Sequence, residues 1–390
     1  MDFYKRALEL RQDILKDRRW FHQTAEVGLD MPKARDYVME RLREYGLQPW
    51  ECGHGVAADL GSGSPRLLLR ADMDALPMEE ESGLPYACTE GRCHACGHDC
   101  HAAMLLTAAR LLKERESELK GSVRLMFQPA EETLEGCRDM IDHGILDPKP
   151  DAAMALHVMA GQLPLGLFLY HNAREAMMFS VENFEITIRG RGSHGAYPHR
   201  AVDPINIGAH IHLALQALLA RETDPTKACI VTIGQFRAGT AGNILPETAV
   251  LQGAVRSNDE EVRHLLTRRV EEICTATAAA FGGTAQVQWT CRIPTLVCDP
   301  TLADAMAAYL QELPIPGLQV KPGIRANASE DFALLAEQVP SVFFYISAGF
   351  PDSRGEVMAH NPKVRFNEDA LPMGAAGLAH CAVRWLQDNG

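Results

Sequence analysis

Apolar residues recur at helical spacing through the first fifty positions, where Leu8, Ile14, Leu15, Val38, Leu42 and Leu47 are interleaved with charges and Gly46 can stop the second run. This spacing predicts two amphipathic helices. The pattern then changes to short apolar runs at 66–69, 123–127, 152–156 and 342–346, separated by helix-like stretches such as 101–115. Apolar strands alternating with helices predict an α/β fold with a largely parallel sheet covered on both faces. The middle third reads differently: 184–189, 228–236 and 247–256 alternate apolar and polar residues, and 203–220 reads as a helix. A smaller α+β unit is therefore expected at 177–291, inserted into a larger unit made of 1–176 and 292–390. No internal repeat or low-complexity tract interrupts this layout.

Polar residues just past the strand-like runs carry the candidate chemistry. Asp72 and Asp74 come after the first run, Glu131 and Glu132 after the second, and His157 after the third. In open α/β sheets ligands bind beyond the carboxyl ends of the strands, so these side chains should converge.

Composition narrows the class. At 390 residues, 46% hydrophobic and 23% charged, the chain can bury two cores. A net charge of -13 without any Lys/Arg block argues against a nucleic acid or an anionic membrane as partner. No apolar run approaches the roughly 20 residues of a spanning helix. Eleven cysteines, scattered from Cys52 to Cys381, and an N-terminal segment without a signal-like apolar core suggest reduced thiols and a cytoplasmic protein.

The densest chemistry is CHACGHDCH at 93–101. Cys93 and Cys96 alone would suit a zinc knuckle or a redox pair, but no second CxxC exists and His98 comes directly after Cys96 and Gly97. Cys96 and His98 are therefore expected to bind a metal, the mixed sulfur and nitrogen set of a borderline divalent ion. Cys93, His94 and Cys100 should pack or line the loop. His101 opens a helix and is expected to support a ligand rather than be one. Adjacent Glu131 and Glu132 cannot point the same way, so one can bind metal while the other acts as general base. His194, in the glycine-flanked turn GRGSHGAYPH at 190–199, suits polarising a carbonyl. His210 and His212 lie two apart on a helix and cannot pair as ligands. No G-x-S-x-G, phosphate-binding G-x-x-x-x-G-K-[ST], strand-linked G-x-G-x-x-G or H-E-x-x-H is present.

Read together, RRWFH at 18–22, RADMDALP at 70–77, CHACGHDCHAAM at 93–104, QPAEE at 128–132, GRGSHGAYPH, GTAGNILPETA at 239–249, ASEDF at 328–332 and AHNP at 359–362 form a collinear set. The chain resembles the amidohydrolase branch of the dinuclear aminoacylase and carboxypeptidase metallopeptidases, which includes hippurate hydrolase, auxin-conjugate hydrolases and N-acetyldiaminopimelate deacetylase. The resemblance implies metal ligation by Cys96, His98, Glu132, His157 and His360, with Glu131 as general base and Asp72, Asp74 and His101 orienting the ligands from behind. It implies about two divalent ions per subunit, manganese or zinc, with nickel or cobalt compatible. It also implies a lid at 177–291 that dimerises, His194 at the scissile carbonyl, and substrate contacts from Asn243, Arg256 and His199. The expected reaction is hydrolysis of the amide bond of N-acyl amino acids. The competing readings are a dipeptidase or carboxypeptidase on small peptides, and a catalytically silent protein that binds acyl amino acids. Two departures stand out. His22-Gln23-Thr24-Ala25-Glu26 lacks the proline usual before the glutamate, and Asn361 stands where many relatives have histidine.

Overall fold

The computed structural model describes residues 2–390, and its contacts divide them into two units. The first contains the chain up to Arg174 with Val297–Arg325 and Leu334–Gly390, and the second contains Glu175–Leu296 with Ala326–Ala333.

The first unit opens with α1 (Phe3–Glu9), α2 (Arg11–Gln23), α3 (Pro32–Glu44), β1 (Trp50–Cys52), β2 (Gly55–Gly61) and β3 (Arg66–Asp72). It continues through α4 (His98–Lys113), β4 (Ser122–Gln128), α5 (Gly136–Asp142), β5 (Ala152–Met159) and β6 (Leu167–Tyr170). The second unit comprises β7 (Ser180–Arg189), β8 (Ser193–His194), α6 (Pro204–Arg221), β9 (Cys229–Ala238), β10 (Ile244–Leu245), β11 (Thr248–Ser257), α7 (Glu260–Ala280) and β12 (Thr284–Ile293). The remaining elements are α8 (Pro300–Gln311), β13 (Gln319–Pro322), α9 (Ala333–Ala336), β14 (Ser341–Ser347) and α10 (Ala370–Asn389).

The large sheet has the order β1-β2-β4-β3-β5-β14-β6-β13. Its centre, β4-β3-β5-β14, is parallel throughout, as the continuous apolar runs require. The flanks are not: β1 and β2 pair antiparallel, β2 joins β4 antiparallel, and β6 runs antiparallel to β14. Leu67–Leu69 of β3, Leu125 and Phe127 of β4 and Phe343–Phe344 of β14 are fully buried, and α4 and α10 pack together above the sheet. The strands that carry candidate chemistry, β3, β4 and β5, thus each lie between two hydrogen-bonded neighbours.

Three helices open the chain where the spacing predicted two. The first breaks at Leu10, whose backbone leaves the helical region (φ -86°, ψ 5°), and the break resets the inward face. Phe3, Tyr4 and Ala7 then turn to the core and leave Leu8 44% exposed. Gly46 stops α3 as read, at φ 81°, with the Leu47 N–H donating to the Leu42 carbonyl and the Gly46 N–H to that of Arg43.

In the second unit, β12-β7-β11-β9 form an antiparallel sheet with α6 and α7 against it. Alternation puts Phe184, Ile186 and Ile188 of β7 and Leu251 and Val255 of β11 on the inner face. Ile207, Ile211 and Leu215 of α6 and Leu266, Val270 and Cys274 of α7 meet them there. Among the described residues no helix is long and apolar enough to cross a membrane, and all eleven cysteines are free thiols.

Candidate metal centre

The carboxyl ends of three parallel strands and the start of α4 supply the centre. β3 delivers Asp72 and then Asp74, β4 leads into Glu131 and Glu132, and His157 stands near the end of β5. Between Cys96 and His98 the chain turns at Gly97, with φ 92°. A Cβ there would stand 2.4 Å from Val158 Cγ2 and 3.0 Å from Phe366 Cζ, so only glycine serves. Three residues other than glycine have positive φ among those described: Ala130 (51°), Leu134 (61°) and His360 (62°). Ala130 immediately precedes the two glutamates and His360 is itself a candidate ligand. Left-handed backbone costs on the order of 1–3 kcal/mol per residue and gathers where surrounding structure imposes it, commonly at functional sites. His360, remote in sequence, is fixed here by its N–H, which donates to the Ala95 carbonyl at 2.9 Å, one residue before Cys96.

Asp74 organises the cluster. One of its oxygens lies 3.2 Å from His98 Nδ1 and the other accepts the Glu132 N–H at 3.0 Å. With Nδ1 engaged, His98 Nε2 points the other way, 3.9 Å from Glu131 Oε2, Glu132 Oε1 and Asp72 Oδ2. His360 Nε2 stands 3.5 Å from Glu132 Oε1. His157 Nδ1 donates to the Val158 carbonyl at 2.7 Å, which leaves its Nε2 facing Cys96 Sγ at 3.4 Å. Donor atoms of Cys96, His98 and His157 lie within 4.8 Å of one another, and so do those of Cys96, Glu132 and His360 and those of His98, Glu131 and Glu132. His101 behaves differently although it belongs to a similar group with Asp72 and His98. Its Nδ1 meets Asp72 at 2.5 Å and its Nε2 accepts the Val158 N–H at 2.8 Å, so neither nitrogen retains a free lone pair.

The electrostatics of this cluster call for positive charge. Burial pushes the Cys96 thiol up to about 12 and raises the Glu132 carboxyl, the latter against His98 and His360. Burial, and then His101, hold His157 well below the usual imidazole range. His98 moves the other way: burial opposes its charge, but Asp72, Cys96 and Asp74 outweigh it and raise the imidazole. Buried His98 Nε2 and Glu132 Oε1 have no hydrogen-bond partner. Such atoms cost about 1–3 kcal/mol each when left unsatisfied. A sulfur, three imidazoles and a carboxylate with converging free donor atoms are what a borderline divalent ion takes, so these residues fit one.

Behind the cluster lies a charged network that sequence spacing does not foretell. His22 Nδ1 meets Asp99 at 2.7 Å, its Nε2 meets Glu80 at 2.9 Å, and the buried Arg18 guanidinium stands 2.8 Å from Asp99. Arg18 and His22 outweigh burial and hold the Asp99 carboxyl well below its usual range. Because Asp99 is next to His98 in the first turn of α4, this network braces the ligand loop. The 18–22 motif was the available signal. His22 is thus a buried structural partner, and Cys93, His94 and Cys100, close to Asp99 in sequence, are buried as well.

Within the second unit, β8 pairs with β10, so that Ile244 faces His194 and the Gly195 N–H donates to the Asn243 carbonyl at 2.8 Å. His194 Nδ1 accepts the Ala196 N–H at 3.1 Å, and the ring is exposed. His194 and Asn243 are therefore neighbours. Arg256 sits near the other end of β11 and donates to Ser329 Oγ at 2.9 Å, while His199 lies in an exposed turn beside Tyr197. Tyr197 also lies against His194, with ring centroids 5.6 Å apart, so it stands between His194 and His199. His210 stacks on Phe281 and is exposed.

Known proteins are similar to this chain over nearly its whole length. N-acetyl-L-cysteine deacetylase of Bacillus subtilis is 35% identical, covering 97% of this chain and 90% of its own. Hippurate hydrolase of Campylobacter jejuni is 32% identical, covering 99% and 100%. A crystal structure of a dinuclear metal-binding peptidase from Bacillus subtilis superimposes with a TM-score of 0.80 at 29% identity, covering 97% of this chain and 99% of its own. The sequence profile of peptidase family M20/M25/M40 matches residues 68–384, from β3 to α10. The chain belongs to peptidase family M20/M25/M40.

Proposed function

We propose that the protein hydrolyses the amide bond of N-acyl amino acids with the help of divalent metal. The observation that carries this reading is the pair of buried atoms His98 Nε2 and Glu132 Oε1, 3.9 Å apart and both without a hydrogen-bond partner, with Glu131 beside them. The hydrolytic relatives supply the substrate class, since two of them act on N-acetylcysteine and hippurate by name.

Cys96, His98, Glu132, His157 and His360 would hold two ions, zinc or manganese, with nickel or cobalt also compatible. When bound, the ions lower the pKa of water toward neutrality and polarise the substrate carbonyl. Glu131 takes the proton of the attacking water and returns it to the departing amine. Asp74 fixes the His98 ring and the Glu132 backbone, and His101 fixes Asp72, so the donor atoms keep their places. His194 is a hydrogen-bond donor at Nε2, because its Nδ1 is occupied as an acceptor, and that proton suits the oxygen on which charge develops. Asn243, Arg256 and His199 are assigned to the substrate's carbonyl and carboxylate.

The segment 177–291 is assigned as a lid that pairs two copies of the chain. β9 is a sheet edge whose Ile230 and Phe236 are exposed, and α6 turns Ile205 and Leu213 outward, Leu213 being 65% exposed. Sedimentation as a monomer at micromolar concentration would remove this part of the reading. Eleven free thiols fit a reducing compartment, the cytoplasm.

The reaction class is tested by comparing N-acetyl and N-benzoyl amino acids with dipeptides that share the same C-terminal residue. Release of amine from the acyl amides is expected at a rate at least tenfold above that from the dipeptides. The reverse preference would make the protein a peptidase.

A further inference from the structure

An apolar side chain left out of this chemistry stands beside it. Met358 lies two positions before His360 and is 58% exposed, although its neighbour Val357 packs against the core. Facing Met358 is the segment just beyond His157. Gly161, with φ 127°, is so placed that a Cβ on it would stand 3.6 Å from Met358 Sδ and 3.8 Å from Leu163 Cγ. Met358 and Leu163 therefore flank a notch with glycine at its base. One side of the notch runs straight into His360 and the other back to His157.

The notch is also firmly built. The Gly161 carbonyl accepts the Phe350 N–H at 3.0 Å, and the Ala348 N–H reaches the Met159 carbonyl at 2.9 Å. A Cβ on Gly349 would come within 2.2 Å of the Gly161 oxygen, so the two segments are in direct backbone contact. On this scaffold the adaptable element is the methionine itself. An unbranched thioether adjusts its shape to whatever covers it, and its exposure next to metal-binding residues marks a surface that substrate can cover.

We propose that Met358, with Leu163 across Gly161, is the wall on which the apolar part of the acyl group lies, and that it favours larger apolar acyl groups over acetyl. The assignment rests on the hydrolase reading above. A carboxylate would find neither cation nor hydroxyl on Met358 or Leu163, which is why the acyl half of the substrate is placed there. Gly161 keeps the notch open, since any side chain on it would fill the space between the two.

The test measures kcat/KM for N-acetyl-, N-hexanoyl- and N-benzoyl-alanine and for N-acetyl-phenylalanine, in the unaltered protein, in Met358→Ala and in Met358→Gln, with metal content determined for each. Met358→Gln keeps the length of the side chain and removes its apolar character. The hexanoyl-to-acetyl ratio is expected to fall about tenfold in both variants, the scale on which apolar pockets discriminate. The loss should appear mainly in KM, with metal content unchanged. An unchanged ratio would overturn the assignment. So would a loss that tracks phenylalanine against alanine, or one that accompanies loss of metal. Absence of metal-dependent release from any of these amides by the unaltered protein would instead overturn the hydrolase reading, and this assignment with it.

Discussion

Glu131→Gln is expected to lower kcat by about a thousandfold or more while leaving metal content unchanged and KM within a few-fold. A single acid or base step contributes roughly 10² to 10⁴ in rate, and here one carboxylate serves both the attack and the departure of the amine. Glutamine has nearly the same shape but cannot take the proton. Metal should be retained because the buried carboxylate oxygen that lacks a hydrogen-bond partner belongs to Glu132, whose position is set by Asp74 through its own N–H. Steady-state kinetics alongside metal analysis checks this. A Glu131→Gln protein of near-normal rate would end the assignment of the base, and one that loses its metal would make Glu131 a ligand.

Gly97→Ala is expected to weaken metal binding and folding stability together. The residue sits at φ 92°, where an L side chain costs on the order of 1–2 kcal/mol. Its Cβ would also meet Val158 Cγ2 at 2.4 Å and Phe366 at 3.0 Å, and overpacking of this kind costs about 1–3 kcal/mol more. The two add to about 2–5 kcal/mol, and a shift of the turn that relieves them displaces Cys96 and His98 relative to His157. Metal affinity should therefore fall at least tenfold, together with the urea midpoint. Gly63→Ala separates the two causes, since Gly63 has φ 80° but nothing within 4 Å of an added Cβ. If Gly97→Ala proved no worse than Gly63→Ala, crowding against Val158 would have no part in shaping the ligand loop.

Much of this was legible because local sequence and topology agree. Cys96 and His98 announce themselves by spacing, and strand ends place Asp72, Asp74, Glu131, Glu132 and His157 together once the central strands are read as parallel. His360 was not legible from spacing at all. Its arrival depends on β14 lying beside β5 and on one backbone bond to Ala95, neither of which leaves a periodic trace. Resemblance to a family pointed to it instead. The buried network of Arg18, His22, Glu80 and Asp99 was hidden for a similar reason: charged residues on α2 look solvated until the loop that covers them is in place. The positive φ at Ala130 aims two glutamates, yet alanine carries no sign of it. Nor did apolar spacing reveal the break at Leu10, because intact and broken helices share it until packing chooses a face.

The measurement that bears most directly on the proposed mechanism is amine release from N-acetyl- and N-benzoyl-amino acids by protein stripped with a chelator and then resupplied with manganese or zinc. Stripping is expected to abolish release, and resupply to restore it as about two ions bind per chain. Release that survives stripping, or protein that binds the ions and releases no amine from any amide or dipeptide, would contradict metal-dependent amide hydrolysis.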